Sequence, residues 1–196
     1  MENLSSEREA FWNNRYLTEE TGWDMHQVSP PLKSYINSVE DKNTAILIPG
    51  CGNAYEARYL VDNGFTNVTI LDISSLLVER LKRRFEEKDI KILQGDFFQH
   101  QGSYNLILEQ TFFCALNPAL RQDYVKKMHN LLKDNGRLAG VLFNKDFGFD
   151  HPPYGGSTEE YLQLFQPYFK ILKMEPCYNS IPSRAGSEIF IEFEKS

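Results

Sequence analysis

The chain is short of the features that would mark a disulfide scaffold, a metalloprotein, a membrane protein or a nucleic-acid binder. It has three cysteines, Cys51, Cys114 and Cys177, and no C-x-x-C pair. An odd, scattered set argues against a disulfide framework and reads as reduced thiols, hence a cytoplasmic setting. The four histidines (His26, His100, His129, His151) sit at no metal-ligand spacing, so no metal site is expected. No apolar run reaches the roughly 18 residues of a membrane span, and no apolar leader opens the chain. Positive charge is in deficit: 21 Lys and Arg against 27 Asp and Glu leave −6 over 196 residues. A nucleic-acid partner would want a basic face, whereas a small or cationic ligand suits this balance. Internal repeats, low-complexity stretches and interdomain linkers are also missing. The expectation is one domain, acting as a monomer on a small molecule.

What the chain does have is a Gly-rich turn between two apolar runs. Residues 44–55 read T-A-I-L-I-P-G-C-G-N-A-Y, and V-T-I-L-D-I-S follows, with Asp72 22 positions beyond Gly50. This is the pattern of a strand–turn–helix–strand unit that holds a nucleoside. Gly50 and Gly52 let the backbone come close to a ligand where a Cβ would collide. Asp72 would accept hydrogen bonds from ribose hydroxyls at the tip of the second strand. Tyr55 stands where a dinucleotide fingerprint has its third glycine, which disfavours a nicotinamide or flavin cofactor.

The rest of the chain alternates. Ser6-x-x-Glu9 reads as a capping box opening a helix to about Tyr16, and Ser29-Pro30 as the start of a second helix to about Val39. Strands are expected at about 45–49, 67–72, 90–93, 104–109 and 137–143. The helices between them run from about Asn53 to a stop at Gly64, from Ser75 to Lys88, and from Pro118 to Asn135-Gly136. Ser157-x-x-Glu160 caps a last helix, and 169–176 with 187–194 read as a terminal hairpin at the sheet edge. The pattern predicts a mostly parallel, seven-stranded α/β sheet (43–196) with helices on both faces, preceded by N-terminal helices (1–42). Gly95-Asp96-Phe97-Phe98 follows the third strand, where Asp96 could meet an adenine amino group and the aromatics its base. Glu109-Gln110-Thr111-Phe112-Phe113-Cys114 ends the fourth strand and should face cofactor and substrate at the switch point.

These segments together resemble the class I, Rossmann-like S-adenosylmethionine-dependent methyltransferases. More narrowly they resemble the thiopurine S-methyltransferase family, closest to its halide/thiol methyltransferase branch. The residues that carry the likeness are W-x-x-x-Y (Trp12, Tyr16), Gly22-Trp23-Asp24, I-P-G-C-G (48–52), G-D-F-F (95–98), T-F-F-C-A-L-N-P (111–118), H-P-P-Y (151–154) and Arg184. The resemblance implies that Trp12, Tyr16 and Trp23 form an N-terminal lid over the cofactor. It implies that Gly50 and Gly52 meet the methionine end, Asp72 with Ile73 the ribose, Asp96 and Phe97 the adenine, and that Gln110 lies beside the cofactor. Two positions depart from the family: Tyr16 stands where a second Trp is frequent. Gln110 stands where thiopurine-type members carry Arg and the other branch an aromatic.

An aromatic lid suits a sulfonium cofactor, because desolvated aromatic faces attract cations. Transfer of its methyl group to a thiol, bisulfide, halide or thiopurine-like acceptor needs alignment and exclusion of water more than a strong base. The product would be S-adenosylhomocysteine. Asp24, Tyr154 and Arg184 are the substrate-side candidates: Arg184 to attract an anion, Asp24 or Tyr154 to orient the acceptor or take its proton. Cys51 and Cys114 read as buried small residues rather than nucleophiles. Two alternatives stay open: methylation of a small oxygen or nitrogen acceptor, and a non-catalytic cofactor-binding protein.

Overall fold

The computed structural model describes residues 2–196. Met1 lies outside them. The strands are β1 (Ile46–Pro49), β2 (Val68–Asp72), β3 (Lys91–Gln94), β4 (Tyr104–Gln110), β5 (Leu132–Phe143), β6 (Phe169–Pro176) and β7 (Glu188–Lys195). Among the described residues they form one seven-stranded sheet in the order β3-β2-β1-β4-β5-β7-β6. β1 to β5 run parallel, and β7 pairs antiparallel with both β5 and β6. The helices are α1 (Glu2–Leu17), α2 (Pro30–Asn37), α3 (Tyr55–Asp62), α4 (Ser75–Arg84), α5 (Arg121–Leu131) and α6 (Thr158–Phe165). No described helix is long and apolar enough to cross a membrane.

The central strands are buried on both faces, which is why they read as continuous apolar runs. Successive side chains still divide between two cores, as strand geometry requires. Leu47 and Ile107 pack with Tyr124, Met128, Tyr161 and Phe165 of α5 and α6. Ile46, Ile48, Leu106 and Leu108 pack with Leu32, Ile36, Leu60 and Leu77 of α2, α3 and α4. From the adjacent pair β1 and β4 the chain winds outward in opposite directions, to β2 and β3 on one side and to β5 on the other. That makes their carboxyl ends the switch point of the sheet.

Several boundaries differ from the sequence reading. Ser6 does not open a helix, because α1 already begins at Glu2. The helix after Pro118 is a short 3-10 turn followed by α5, and it stops at Leu131 rather than at Asn135-Gly136. β5 begins there, and Asn135 takes a left-handed φ of 59° inside an irregular stretch where the β4–β5 register slips. The terminal hairpin is present, but β7 is interior and only β6 forms the edge. Ser157 does cap α6, its hydroxyl accepting from Glu160 N at 3.2 Å, while the Glu160 carboxylate turns to Arg121.

Gly140 on β5 faces Glu109 on β4. A Cβ added there would lie 2.2 Å from the Glu109 carbonyl oxygen. Gly140→Ala should therefore destabilise the fold by about 3 kcal/mol, since backbone on both sides must move. Chemical denaturation of the variant measures this.

Candidate active site

The carboxyl ends of β1, β2 and β4 open into a cavity of about 1080 Å³ of empty space, its mouth included. Its floor is the turn after β1. Gly50, Gly52 and Ala54 take φ of 56°, 52° and 57° in alternation, a path on which glycine is least strained. Gly50 has a second reason to be glycine. A Cβ there would fall 2.2 Å from the Phe112 ring, so the missing side chain admits an aromatic wall as well as a ligand.

At the tip of β2, Asp72 accepts from Gly52 N (3.2 Å) and Ser74 N (3.0 Å). Burial pushes its carboxyl up to about 6, against those hydrogen bonds. After β3, Asp96 caps a 3-10 turn by accepting from Phe98 N (3.0 Å). Its other oxygen accepts from Arg8 at 2.6 Å, which fastens α1 to this end of the cavity.

The β4 wall is organised by Glu109, which is fully buried. One of its oxygens accepts from Phe112 N (2.8 Å) and Phe113 N (2.9 Å), and the other accepts from the Tyr124 hydroxyl. Burial pushes this carboxyl up to about 7. The turn it gathers contains Thr111 at φ 56°, an outlying conformation for a β-branched residue held here beside the cavity. Gln110 borders the same space, and its Oε1 is shut off from solvent with no hydrogen-bond partner.

Aromatics form the roof. Trp23 meets Trp12 edge-on at 5.4 Å and Tyr16 edge-on at 5.8 Å. The roof is pinned by polar contacts. Asn13 Oδ1 accepts from the Ser74 hydroxyl (2.6 Å) and Leu76 N (3.3 Å) at the start of α4. Arg184 donates to the Trp23 carbonyl oxygen (2.7 Å). Asp24 lies beneath, accepting from Asn53, the Tyr55 hydroxyl (3.2 Å) and His26 N (2.7 Å).

All ten residues expected around the cofactor border this one cavity, and so does Asp24. Arg184 and Tyr154 do not. The guanidinium of Arg184 is buried against Trp23 O, Glu188 (3.3 Å) and the Phe143 ring, contacts through which it holds the roof. Tyr154 turns its hydroxyl to the Asp150 carbonyl (3.2 Å). Burial pushes the Cys114 thiol up to about 12 and that of Cys51 upward as well, which leaves neither as a ready nucleophile. Arg8 and Asn13 were missed by the sequence reading, and Glu109 was read only within the strand-4 segment expected to face cofactor and substrate, whereas it lies buried outside the cavity lining. Only Glu109 left a signal, as a lone charge in an apolar strand, which when buried must find partners.

Among solved structures, the fold matches that of 1,6-didemethyltoxoflavin-N1-methyltransferase from Burkholderia thailandensis, determined with S-adenosylhomocysteine bound. The TM-score is 0.80 at 14% identity, over 100% of this chain and 90% of that one. A TehB-like SAM-dependent methyltransferase from Corynebacterium glutamicum matches with a TM-score of 0.68 at 18% identity, over the full length of both. The protein is an S-adenosylmethionine-dependent methyltransferase with the class I, Rossmann-like fold. Residues 7–188 match the family model of thiopurine S-methyltransferase (TPMT), and the chain belongs to that family. Its curated relatives include probable thiol methyltransferase 2 of Arabidopsis thaliana, 28% identical over 98% of this chain and 88% of the relative. Thiocyanate methyltransferase 1 of the same plant is 25% identical over 92% and 82%. Thiopurine S-methyltransferase of Acinetobacter baylyi is 27% identical over 82% and 85%.

Four outcomes are expected. With Asp72 as the expected partner of ribose hydroxyls, which are donors and prefer an ionised carboxylate, cofactor affinity should fall as pH drops through about 6. Without cofactor the sign reverses for stability: a carboxyl raised from 3.8 to about 6 favours the fold below 3.8, and that contribution is lost as pH rises through 6. Asp72→Asn should abolish the pH dependence of affinity and weaken binding about tenfold to a hundredfold, as calorimetry at pH 5 and pH 8 would read. Arg184→Met should raise the cofactor Kd about tenfold through a loosened roof, and should affect neutral and anionic acceptors alike. A selective rise in KM for anions would restore the substrate role of Arg184.

Proposed function

We propose that this enzyme transfers the methyl group of S-adenosylmethionine to the sulfur of a small, soft acceptor. The observation that carries this reading is a cavity roofed by aromatics and bordered, among the described residues, by no histidine. Such a wall excludes water and aligns reactants but offers no strong base, which is what a soft nucleophile needs. The names of the relatives (thiol, thiocyanate and thiopurine methyltransferases) support the same acceptor chemistry.

The cavity suits the cofactor. Its lining pairs carboxylates that can accept from hydroxyl and amine donors with aromatic faces that suit a sulfonium. In this reading Asp72, beside Ile73, accepts from the ribose hydroxyls. The Gly50–Gly52 turn meets the methionine end, and Asp96 with Phe97 meets the adenine. Trp12, Tyr16 and Trp23 cover the sulfonium side. When bound, the cofactor supplies a methyl group whose bond to the sulfonium breaks as the acceptor sulfur–carbon bond forms, the electron pair staying behind. Asp24 is the group in reach of the cavity that can orient a thiol and take its proton. With three free thiols, two of them buried, we read the enzyme as cytoplasmic.

Incubation with S-adenosylmethionine and separate acceptors checks this by S-adenosylhomocysteine formed. The panel is an aromatic thiol, a thiopurine, bisulfide, thiocyanate and iodide, with catechol and a small amine as controls. Turnover confined to sulfur acceptors is expected. Turnover of catechol or the amine alone would move the chemistry to oxygen or nitrogen.

A further inference from the structure

The charges and the unpaired amide of this cavity say more about the acceptor. Four carboxylates border it, those of Asp24, Glu56, Asp72 and Asp96, against the single guanidinium of Arg8. That guanidinium pairs with Asp96 at 2.6 Å. Of the arginines near the roof, Arg184 is engaged by Trp23 O and Glu188, and Arg15 pairs with Glu20 at 2.7 Å. Bound S-adenosylmethionine brings a net single positive charge, which leaves the wall still negative. The rest of the lining is largely apolar: Phe97, Phe112 and Leu116, with Trp12 and Trp23 above. A bare anion entering here gives up its hydration and meets no free cation among the lining residues, which is costly.

Gln110 supplies the complementary requirement. Parallel pairing matches Leu47 with Ile107, and continuing that register puts Gln110 level with Gly50, at the head of the cavity. Its Oε1 lacks a donor. A buried acceptor without a partner is unfavourable, and the terminal amide torsion is soft enough to turn the oxygen toward a donor on a ligand. Iodide and thiocyanate carry no donor. A neutral thione or thiol with an adjacent N–H does.

Resting on the reading of soft-acceptor methyl transfer, we infer that Gln110 is a specificity-determining residue. The cavity selects an uncharged acceptor bearing a hydrogen-bond donor beside its reacting sulfur, and rejects bare anions.

The test uses four probes against the enzyme: 2-mercaptobenzimidazole, its 1,3-dimethyl derivative (which lacks both N–H donors), thiocyanate and iodide. Binding to the S-adenosylhomocysteine complex is measured by calorimetry, and turnover is measured with S-adenosylmethionine. The wild type should favour 2-mercaptobenzimidazole about tenfold or more over the other three. Gln110→Met should bring its affinity to within about twofold of the dimethyl derivative, both read at saturating S-adenosylhomocysteine so that a change in cofactor Kd does not enter the comparison. Gln110→Arg should raise kcat/KM for thiocyanate about tenfold. Equal binding of thiocyanate, iodide and 2-mercaptobenzimidazole by the wild type would overturn the inference. So would a Gln110→Met enzyme that loses cofactor affinity but keeps its acceptor preference, since the amide would then serve the cofactor. In both cases sulfur methylation would stand. Failure to methylate any sulfur acceptor while the cofactor binds would instead sink the proposed function, and the inference with it.

Discussion

The site depends on one buried carboxylate. Glu109 sits in the last turn of β4 with no solvent exposure and gathers the next segment of chain around itself. Two backbone N–H groups and a tyrosine hydroxyl converge on its oxygens. That convergence bends the chain sharply enough to hold Thr111 at positive φ. It also sets Phe112 against the space where Gly50 has no Cβ, and edge-on to Phe97 at 5.1 Å. The aromatic wall and the position of Gln110 follow from that turn. Gly140 lets Glu109 approach from β5. A buried acid is costly, and the cost is visible in its raised pKa; the three donors offset it.

The roof is built on a different principle. α1 is a largely polar helix, and it is held through a few directed contacts: Arg8 to Asp96, Asn13 to the start of α4, and the Trp23 carbonyl to Arg184. Each contact joins the N-terminal segment to a different part of the sheet domain. Arg184 lies only four residues before β7, so the last strand and the roof are mechanically linked. An enzyme that must exclude water around a reactive sulfonium needs such a cover, and directed polar contacts position it without a large apolar face.

The sheet was legible because its strands are apolar runs punctuated by glycine, and because helices alternate with them. The cavity at the carboxyl ends of the strands was legible for a related reason. Gly50, Gly52, Asp72 and Asp96 lie at strand ends, where chain position alone nearly dictates spatial position. Long-range partners were not legible. Ser6-x-x-Glu9 fits a capping box, but the helix runs past it, because a local pattern does not forbid helix upstream. Arg184 carried an expected charge role, yet its charge is met by Glu188 and by the backbone of a residue 161 positions away. Nothing in either local stretch encodes that meeting.

By itself, then, the sequence determined the alternation of strands and helices, the Gly-rich turn, the acids at the tips of β2 and β3, and the aromatic content of the roof. These are consequences of local periodicity and of residue types that only certain backbone conformations tolerate. Tertiary structure decided what each polar side chain faces. It put Arg8 on Asp96, Arg184 on the Trp23 carbonyl, Glu109 under the β4 turn, and the Gln110 oxygen where no donor reaches it. The physical reason is that hydrogen bonds and ion pairs are short-ranged and directional, so their partners are chosen by packing in three dimensions and not by separation along the chain.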